Sequence, residues 1–464
     1  MELLYSLGLI KKSRGKEVGK ELGPTGNRKY AFFHVFRKKG GHMRRLLMFF
    51  AVAFVIPATC LAQDPIKIGY LGALTWDYGK TQVAAAELAV EEVNKAGGIL
   101  GRPIKLFTAD SELKAAGATN AVHKLVEVDK VDFLMGCYGS EETMGAVEAA
   151  SDLKKVAVYS GGATHEWVTK VAQNYARYKY VFRNSPHDEL DAEARYVIEQ
   201  QVPWMAEILK KELGIPKVKL AVLTDAAKWQ DLCHEAFLKE FAAKGYEIAY
   251  QSRFSTTATD ASVELTEIKK SGAHIIVGGM AYKSTLPLIK QWAEMKIPAV
   301  WAGVNVLAMS PKFWEQTGGQ CAYVCTYNFG SAHVAITPQT KTIWDYQMGK
   351  LGTCYFNSHG PYVSIYSLKH AAEKAKTLET EAMIKALEEI KFDSVGGTID
   401  YSPHHTFRYG PVGTGSPIWT LQHQPGGKFV MVHIGPLNPG ETQEKYVDGK
   451  LLLPPWMVEA WKKK

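Results

Sequence analysis

Three short segments of this chain combine glycine, hydroxyl side chains and aromatic rings in a pattern suited to holding a small ligand. They are Gly72-Ala73-Leu74-Thr75-Trp76-Asp77-Tyr78-Gly79, Gly136-Cys137-Tyr138-Gly139-Ser140 and Ser160-Gly161-Gly162-Ala163-Thr164. Glycine lets a backbone come close to a ligand, hydroxyls and free N–H groups at a helix start suit an anion, and rings supply apolar walls. That chemistry is binding. The patterns that would add catalysis fail on spacing. Gly79-Lys80-Thr81 ends like a phosphate-binding loop, but Leu74 stands where such a loop needs its first glycine. His165-Glu166 and His234-Glu235 would need a second histidine where Thr169 and Leu238 stand, so a zinc peptidase site is unsupported. Neither a Gly-x-Ser-x-Gly elbow nor a Gly-x-Gly-x-x-Gly fingerprint occurs. His404-His405, in a proline-containing turn, reads as a solvated pair. No catalytic residue, metal or cofactor is therefore expected.

The elements that must position these segments alternate in type. Short apolar runs at 66–71, 104–108, 131–135, 156–159, 219–223, 248–254, 275–278 and 299–301 read as strands. Helical periodicity fits between them at 82–95, 119–128, 141–153, 231–243, 262–270 and 286–295, the first stopped by Gly97-Gly98. Such alternation predicts parallel sheets covered by helices on both faces. In doubly wound sheets the ligand lies beyond the carboxyl ends of the strands, which is where the three segments fall.

The amino-terminal part reads differently. Met43-Arg44-Arg45 leads into an apolar run over 46–56, then Pro57 and Cys60-Leu61-Ala62, the plan of a secretory signal peptide cleaved after Ala62. Pro57-Ala58-Thr59 is a poor match to a lipid-attachment motif at Cys60. Residues 1–42 carry ten Lys or Arg without helix or strand period and are expected to be upstream sequence outside the native protein. The chain's formal charge of +8 would suggest a nucleic-acid or membrane-surface partner. Yet 12 of its 55 basic and only 3 of its 47 acidic residues fall in 1–62, leaving 43 against 44, so nucleic acid is not an expected partner. The remaining part, about 400 residues, suffices for two domains. Its five cysteines, Cys137, Cys233, Cys321, Cys325 and Cys354, leave at least one free thiol in an oxidising compartment.

Over residues 64–435 the sequence resembles the leucine/isoleucine/valine-binding type of periplasmic receptor. The resemblance is carried by Lys67-Ile68-Gly69, by Ala89-Val90-Glu91-Glu92-Val93-Asn94-Lys95-Ala96-Gly97-Gly98-Ile99-Leu100-Gly101-Arg102-Pro103, by Ser160-Gly161-Gly162-Ala163-Thr164 and by Gly360-Pro361-Tyr362-Val363. It implies an α/β fold of the periplasmic binding protein type I, with two flavodoxin-like lobes joined by three hinge crossings near 182–184, 327–329 and 409–412. The amino-terminal lobe would comprise 64–184 and 328–410, the carboxyl-terminal lobe 185–327 and 411–450, with 451–464 a tail. The segment 201–212 and that tail have no counterpart in the family pattern.

By position, the resemblance implies a carboxylate site at Ser140, Ala163 and Thr164 and walls from Tyr78, Tyr138, Trp229, Met280 and Tyr362. Ser140 equally suits the start of a helix with Glu142 or Thr143 beside it. Where the family sets an acid against the ammonium of an amino acid, this chain has Asn305. A buried ammonium without a counter-ion costs several kcal/mol. Either another acid, Asp225 or Glu166, takes over, or the solute is an amide or aromatic carboxylate rather than an amino acid. The expected function is solute capture in the periplasm for the permease and ATPase of an ABC importer, without chemistry on the solute. A ligand-sensing receptor domain of the same fold is the alternative.

Overall fold

The computed structural model describes residues 64–184, 188–355, 357–401 and 404–462. The expected leader and signal peptide lie outside the described residues.

The first parallel sheet has the order β2-β1-β3-β4-β5, built from β1 (Ile66–Gly72), β2 (Ile104–Asp110), β3 (Phe133–Gly136), β4 (Ala157–Tyr159) and β5 (Val181–Arg183). The second has the order β7-β6-β8-β9, from β6 (Lys219–Asp225), β7 (Glu247–Phe254), β8 (Ile275–Met280) and β9 (Val300–Asn305). Both follow the flavodoxin-like winding, in which the chain steps outward once and then reverses. The reversal leaves a crevice at the carboxyl ends of β1 and β3 in one sheet and of β6 and β8 in the other. These strands are buried almost throughout, as parallel strands covered on both faces must be.

Local sequence explains the helices that frame the first crevice. Asp77–Lys95 buries Ala84, Ala85, Ala86, Ala89 and Val93 on one stripe, and the Tyr70 hydroxyl on β1 donates to Gln82 Oε1 at 2.8 Å. Gly98, at φ +80°, closes the helix through its N–H to Val93 O. Ser140–Asp152 starts at the end of the second of the three segments, the loop after β3, with Gly139 as its cap residue and Ser140 in its first turn.

Two sets of packed side chains define the lobes. One draws on residues between Ile66 and Phe182 and again between Ile343 and Phe407. The other two clusters draw on Ala192 to Ile336 and Ile418 to Met457. The residues just past 328 pack with the second of these sets. Phe329, Ala332 and Ile336 are buried in the second lobe's core, and an apolar pattern cannot announce which of two cores will take it. The three strands β10 (Cys325–Asn328), β13 (Ile418–Gln424) and β14 (Lys428–Gly435) form an antiparallel sheet beside that core, and β11 (Lys391–Ser394) with β12 (Gly397–Asp400) forms a hairpin.

Both unmatched segments belong to the second lobe. Helix Val202–Leu213 buries Val202, Met205, Leu209 and Leu213, and the neighbouring Gln201 accepts from Gly303 N at 2.6 Å while donating to Thr420 Oγ1 at 2.9 Å. In the tail, helix Pro455–Trp461 buries Met457, and the indole N–H groups of Trp456 and Trp461 donate to Ile297 O and Pro298 O at 2.8 and 2.7 Å. His405 also departs from expectation. It is buried, stacked on Phe182 at 4.0 Å and bonded to Glu388, because the chain returns here to pair with β5.

Candidate functional site

At the first crevice the loops after β3 and β4 lock together. A Cβ on Gly161 would stand 2.5 Å from Tyr138 N, and Gly162 has φ +85° with its N–H on Tyr138 O, so this turn requires both glycines. The Glu142 carboxylate accepts from the N–H groups of Tyr138 and Gly139 at 2.8 and 2.9 Å and from the Ser111 hydroxyl. It thus satisfies donors at the start of the Ser140 helix. Burial pushes the Glu142 carboxyl up against the pull of these three donors. Ser140 is buried at that helix start as its first helical residue, and the cap position expected of it falls to Gly139, because the Glu142 carboxylate already takes the N–H groups there.

The loop carrying Ala163 and Thr164 is held from beneath by Arg183, a guanidinium with no solvent exposure. Its Nη1 donates to Gly162 O at 2.6 Å and Thr164 O at 3.1 Å, its Nε to Thr406 Oγ1 at 2.9 Å, and its Nη2 to Asp188 Oδ2 at 2.9 Å. Asp188 also accepts from the N–H groups of Leu190 and Asp191 and bonds His165 Nδ1 at 2.9 Å. These partners overcome burial and hold its carboxyl well below the usual range, while Asp188 in turn raises His165. His165, Asp188 and Asp191 lie within reach of a single cation, but both Asp188 oxygens are already engaged. Ala163 O accepts from Glu189 N at 2.7 Å, and the Thr164 hydroxyl accepts from Glu166 N at 3.2 Å.

Aromatic rings form the rim. Trp76 stacks on Tyr78 with centroids 5.4 Å apart, and Tyr78 on Tyr138 at 4.1 Å. Trp76 is 43% exposed, and Tyr138 is partly buried against the core of the opposite lobe. Burial among Tyr78, Tyr355, Glu193 and Glu142 drives the Tyr138 hydroxyl upward. From the second lobe, Trp229 sits in the turn Lys228–Gln230 that packs against the Ser140 helix, and Lys228 Nζ reaches Glu166 across the seam at 3.0 Å. Tyr282, 37% exposed, lies among Asp225 and Glu141, one from each lobe.

Tyr78, Tyr138, Ser140, Ala163, Thr164 and Trp229 are thus gathered along the two facing edges. Three further expected positions sit differently. Met280 packs in the second lobe's core with Trp292 and Trp301. Tyr362 belongs to the first lobe's core and donates to Glu92 at 2.7 Å. Asn305 turns its Oδ1 to Ala308 N at 3.3 Å, closing the turn Leu307–Met309. Sequence reasoning missed Arg183, Glu189 and Glu193. The one available signal was the charge cluster of Asp188, Glu189, Asp191 and Glu193 directly after an apolar strand. Two recesses of about 350 and 220 Å³ lie elsewhere, one lined by Tyr175, Glu388 and His405 and the other by Leu74, Lys80 and Lys350.

Residues 65–410 match the periplasmic binding protein family. The chain belongs to that family. Its members are solute-binding proteins, and among the described residues no helix is long and apolar enough to cross a membrane. An amino acid binding protein of Pseudomonas aeruginosa is 24% identical over 259 residues, 55% of this chain and 64% of that protein, so this chain spans less than two thirds of that relative. A branched-chain amino acid transporter substrate binding protein from Streptococcus pneumoniae, solved with isoleucine, superposes with a TM-score of 0.64 at 20% identity, covering 84% of this chain and all of that one. A solute binding protein of an ABC transporter from Rhodopseudomonas palustris, solved with 3,4-dihydroxybenzoic acid, gives 0.64 at 18% identity, covering 82% of this chain and all of that one. These likenesses show the type I fold with its two flavodoxin-like lobes.

Proposed function

We propose that the protein is the extracytoplasmic solute-binding component of an ABC importer, closing its two lobes on a small solute and handing it to membrane permease and ATPase components. The solute is of the branched-chain amino acid class or a related amide or aromatic carboxylate. One observation supports this above all. Trp229 Nε1, Asp225 Oδ1 and Ser160 Oγ, all on loops or strand ends at the facing edges, are buried without a hydrogen-bond partner in the protein. Buried polar atoms are ordinarily paired, and a solute lodged there would pair them. In this reading Ser140, Ala163 and Thr164 receive a carboxylate while Tyr78, Tyr138 and Trp229 wall it in. The two lobes are 64–184 with 328–410, and 185–327 with 411–450. No chemistry is performed on the solute.

Export follows from residues 43–62 acting as a signal peptide, so sequencing of periplasmic material is expected to begin at Gln63. A start upstream of Met43 overturns that assignment. The receptor function is tested by thermal melting against amino acids, amides and aromatic acids. Solute at about 100 times its Kd stabilises by about 2.7 kcal/mol, a clear rise in Tm. No rise with any compound overturns the reading. For a carboxylate solute that does bind, Ser140→Ala is expected to weaken affinity by about 1 to 3 kcal/mol in titration calorimetry.

A further inference from the structure

The loop that carries Ala163 and Thr164 depends on Arg183, and Arg183 depends in turn on the returning segment 404–407. Arg183 N donates to His405 O at 2.8 Å, Phe407 N donates to Arg183 O at 3.1 Å, and Arg183 Nε donates to Thr406 Oγ1. Whatever fixes that segment therefore fixes the loop. The His405 side chain is its anchor. The ring is 4% exposed and lies on Phe182 of β5, 7° from parallel with centroids 4.0 Å apart. Its Nδ1 is 3.0 Å from Val181 O, and its Nε2 is 2.9 Å from Glu388 Oε1.

A peptide carbonyl can only accept a hydrogen bond, and so can an ionised carboxylate. Glu388 stays ionised, because the bond to His405 holds its carboxyl below the usual range and the Tyr175 hydroxyl donates to the same oxygen. A neutral imidazole carries one N–H and one lone pair. It serves one of these acceptors and turns its lone pair on the other, whereas the imidazolium serves both. The surroundings suit a cation. Phe182 offers it a ring face, and Tyr175 packs edge-on at 5.7 Å. Of the other charged groups nearby, Lys179 pairs with Glu381 and Arg183 with Asp188. Tyr401 and His404 complete the recess of about 350 Å³ through which the pair meets water. We propose that His405 is a positioning residue for solute binding: its imidazolium, held between Val181 O and Glu388, pins segment 404–407 to β5, and loss of its proton loosens Arg183 and the loop after β4. The effect on solute rests on the receptor reading above, while the brace itself does not.

Two readouts test it, one of them without solute. Long-range ¹H–¹⁵N spectra of the solute-free protein are expected to show both His405 ring nitrogens protonated at pH 6. Amide exchange over 160–164 is expected to be about 5-fold faster in His405→Gln than in the parent at pH 6, and alike at pH 8.5, above the range in which histidine changes charge. Calorimetry with L-leucine and with 4-hydroxybenzoate should give the same pattern, with Kd about 5-fold weaker in the variant at pH 6 and the gap closed at pH 8.5. Glu388→Gln works in the opposite sense. An amide can donate as well as accept, so a neutral ring then satisfies both neighbours. That variant is expected to match the parent at pH 6 and to bind about 5-fold more tightly than it at pH 8.5, and it carries the test should His405→Gln fail to fold. A bare ring nitrogen at pH 6, or variants whose distance from the parent is the same at both pH values, overturns the inference and leaves the receptor reading standing. Binding of neither compound counts against the receptor reading alone, and the spectra and exchange rates then decide the brace.

Discussion

Replacing Arg183 by methionine is expected to lower stability by about 3 to 5 kcal/mol in urea denaturation, the cost of breaking a buried ion pair from one side. The variant leaves Asp188 charged, 3% exposed and opposed only by His165 and two N–H groups. It also strips donors from Gly162 O and Thr164 O, the carbonyls that fix the loop after β4. Solute affinity should thus fall in the fraction that remains folded. Arg183→Lys keeps the charge but lacks the fork that reaches two carbonyls and a carboxylate at once, so it recovers only part of the loss. The lowered Asp188 pKa gives the parent a sign as well. Its contribution is present above the unfolded value near 4 and is lost as pH falls below it, so the gap between parent and Arg183→Met narrows from about pH 4 downward. A variant within about 1 kcal/mol of the parent would show that the pair is structurally idle.

The parallel sheets were legible because strands buried on both faces are short unbroken apolar runs, and the helices between them carry a clear stripe. Helix Asp231–Ala243 lies where its periodicity puts it, and β1, β2, β6 and β8 extend the expected runs by only one or two residues. The antiparallel pair β13 and β14 escaped notice for a physical reason. Thr420, Gln422, His423 and His433 are buried among apolar neighbours, which erases the alternation that a half-solvated strand shows. Their polar atoms are instead used internally, as His423 Nε2 with Ala308 O at 2.7 Å and Gln422 Nε2 with Leu452 O at 2.8 Å.

The candidate site divides along similar lines. Tyr78, Tyr138 and Ser140 were readable because each follows a strand at the edge where such folds bind ligands. Met280 and Tyr362 stand at element ends as well, but one residue of register decides whether a ring or thioether faces the crevice or the core. Arg183 is beyond sequence reasoning, since an arginine after two apolar strand residues reads as the first exposed position of a loop. Only the fold reveals that four acceptors surround it.

The pH response should expose a second buried charge system, one turn along from Asp188. Glu193 is 1% exposed, and burial, reinforced by Glu189 and Asp188, lifts its carboxyl to about 8 against the pull of the Tyr327 hydroxyl. Glu189 is lifted to about 7 in the same way. A carboxyl raised on folding retains a proton that the unfolded chain gives up near pH 4. Its favourable contribution is therefore complete at low pH and is lost as pH rises toward 8, at about 1.4 kcal/mol per pH unit for each retained proton. Glu193→Gln preserves the shape of the protonated acid and cannot ionise. The variant and the parent are expected to be equally stable within about 1 kcal/mol at pH 4.5, and the variant more stable by about 2 to 4 kcal/mol at pH 8.5. Urea midpoints at pH 4.5, 6.5 and 8.5 measure the divergence, and parallel curves would show that Glu193 is ionised throughout. The divergence bears on the hinge, because Glu193 lies between Tyr138 on one lobe and Tyr327 on β10 of the other. Its ionisation at alkaline pH sets a charge against two buried rings at the seam, so the glutamine variant should also hold solute more firmly than the parent above pH 8.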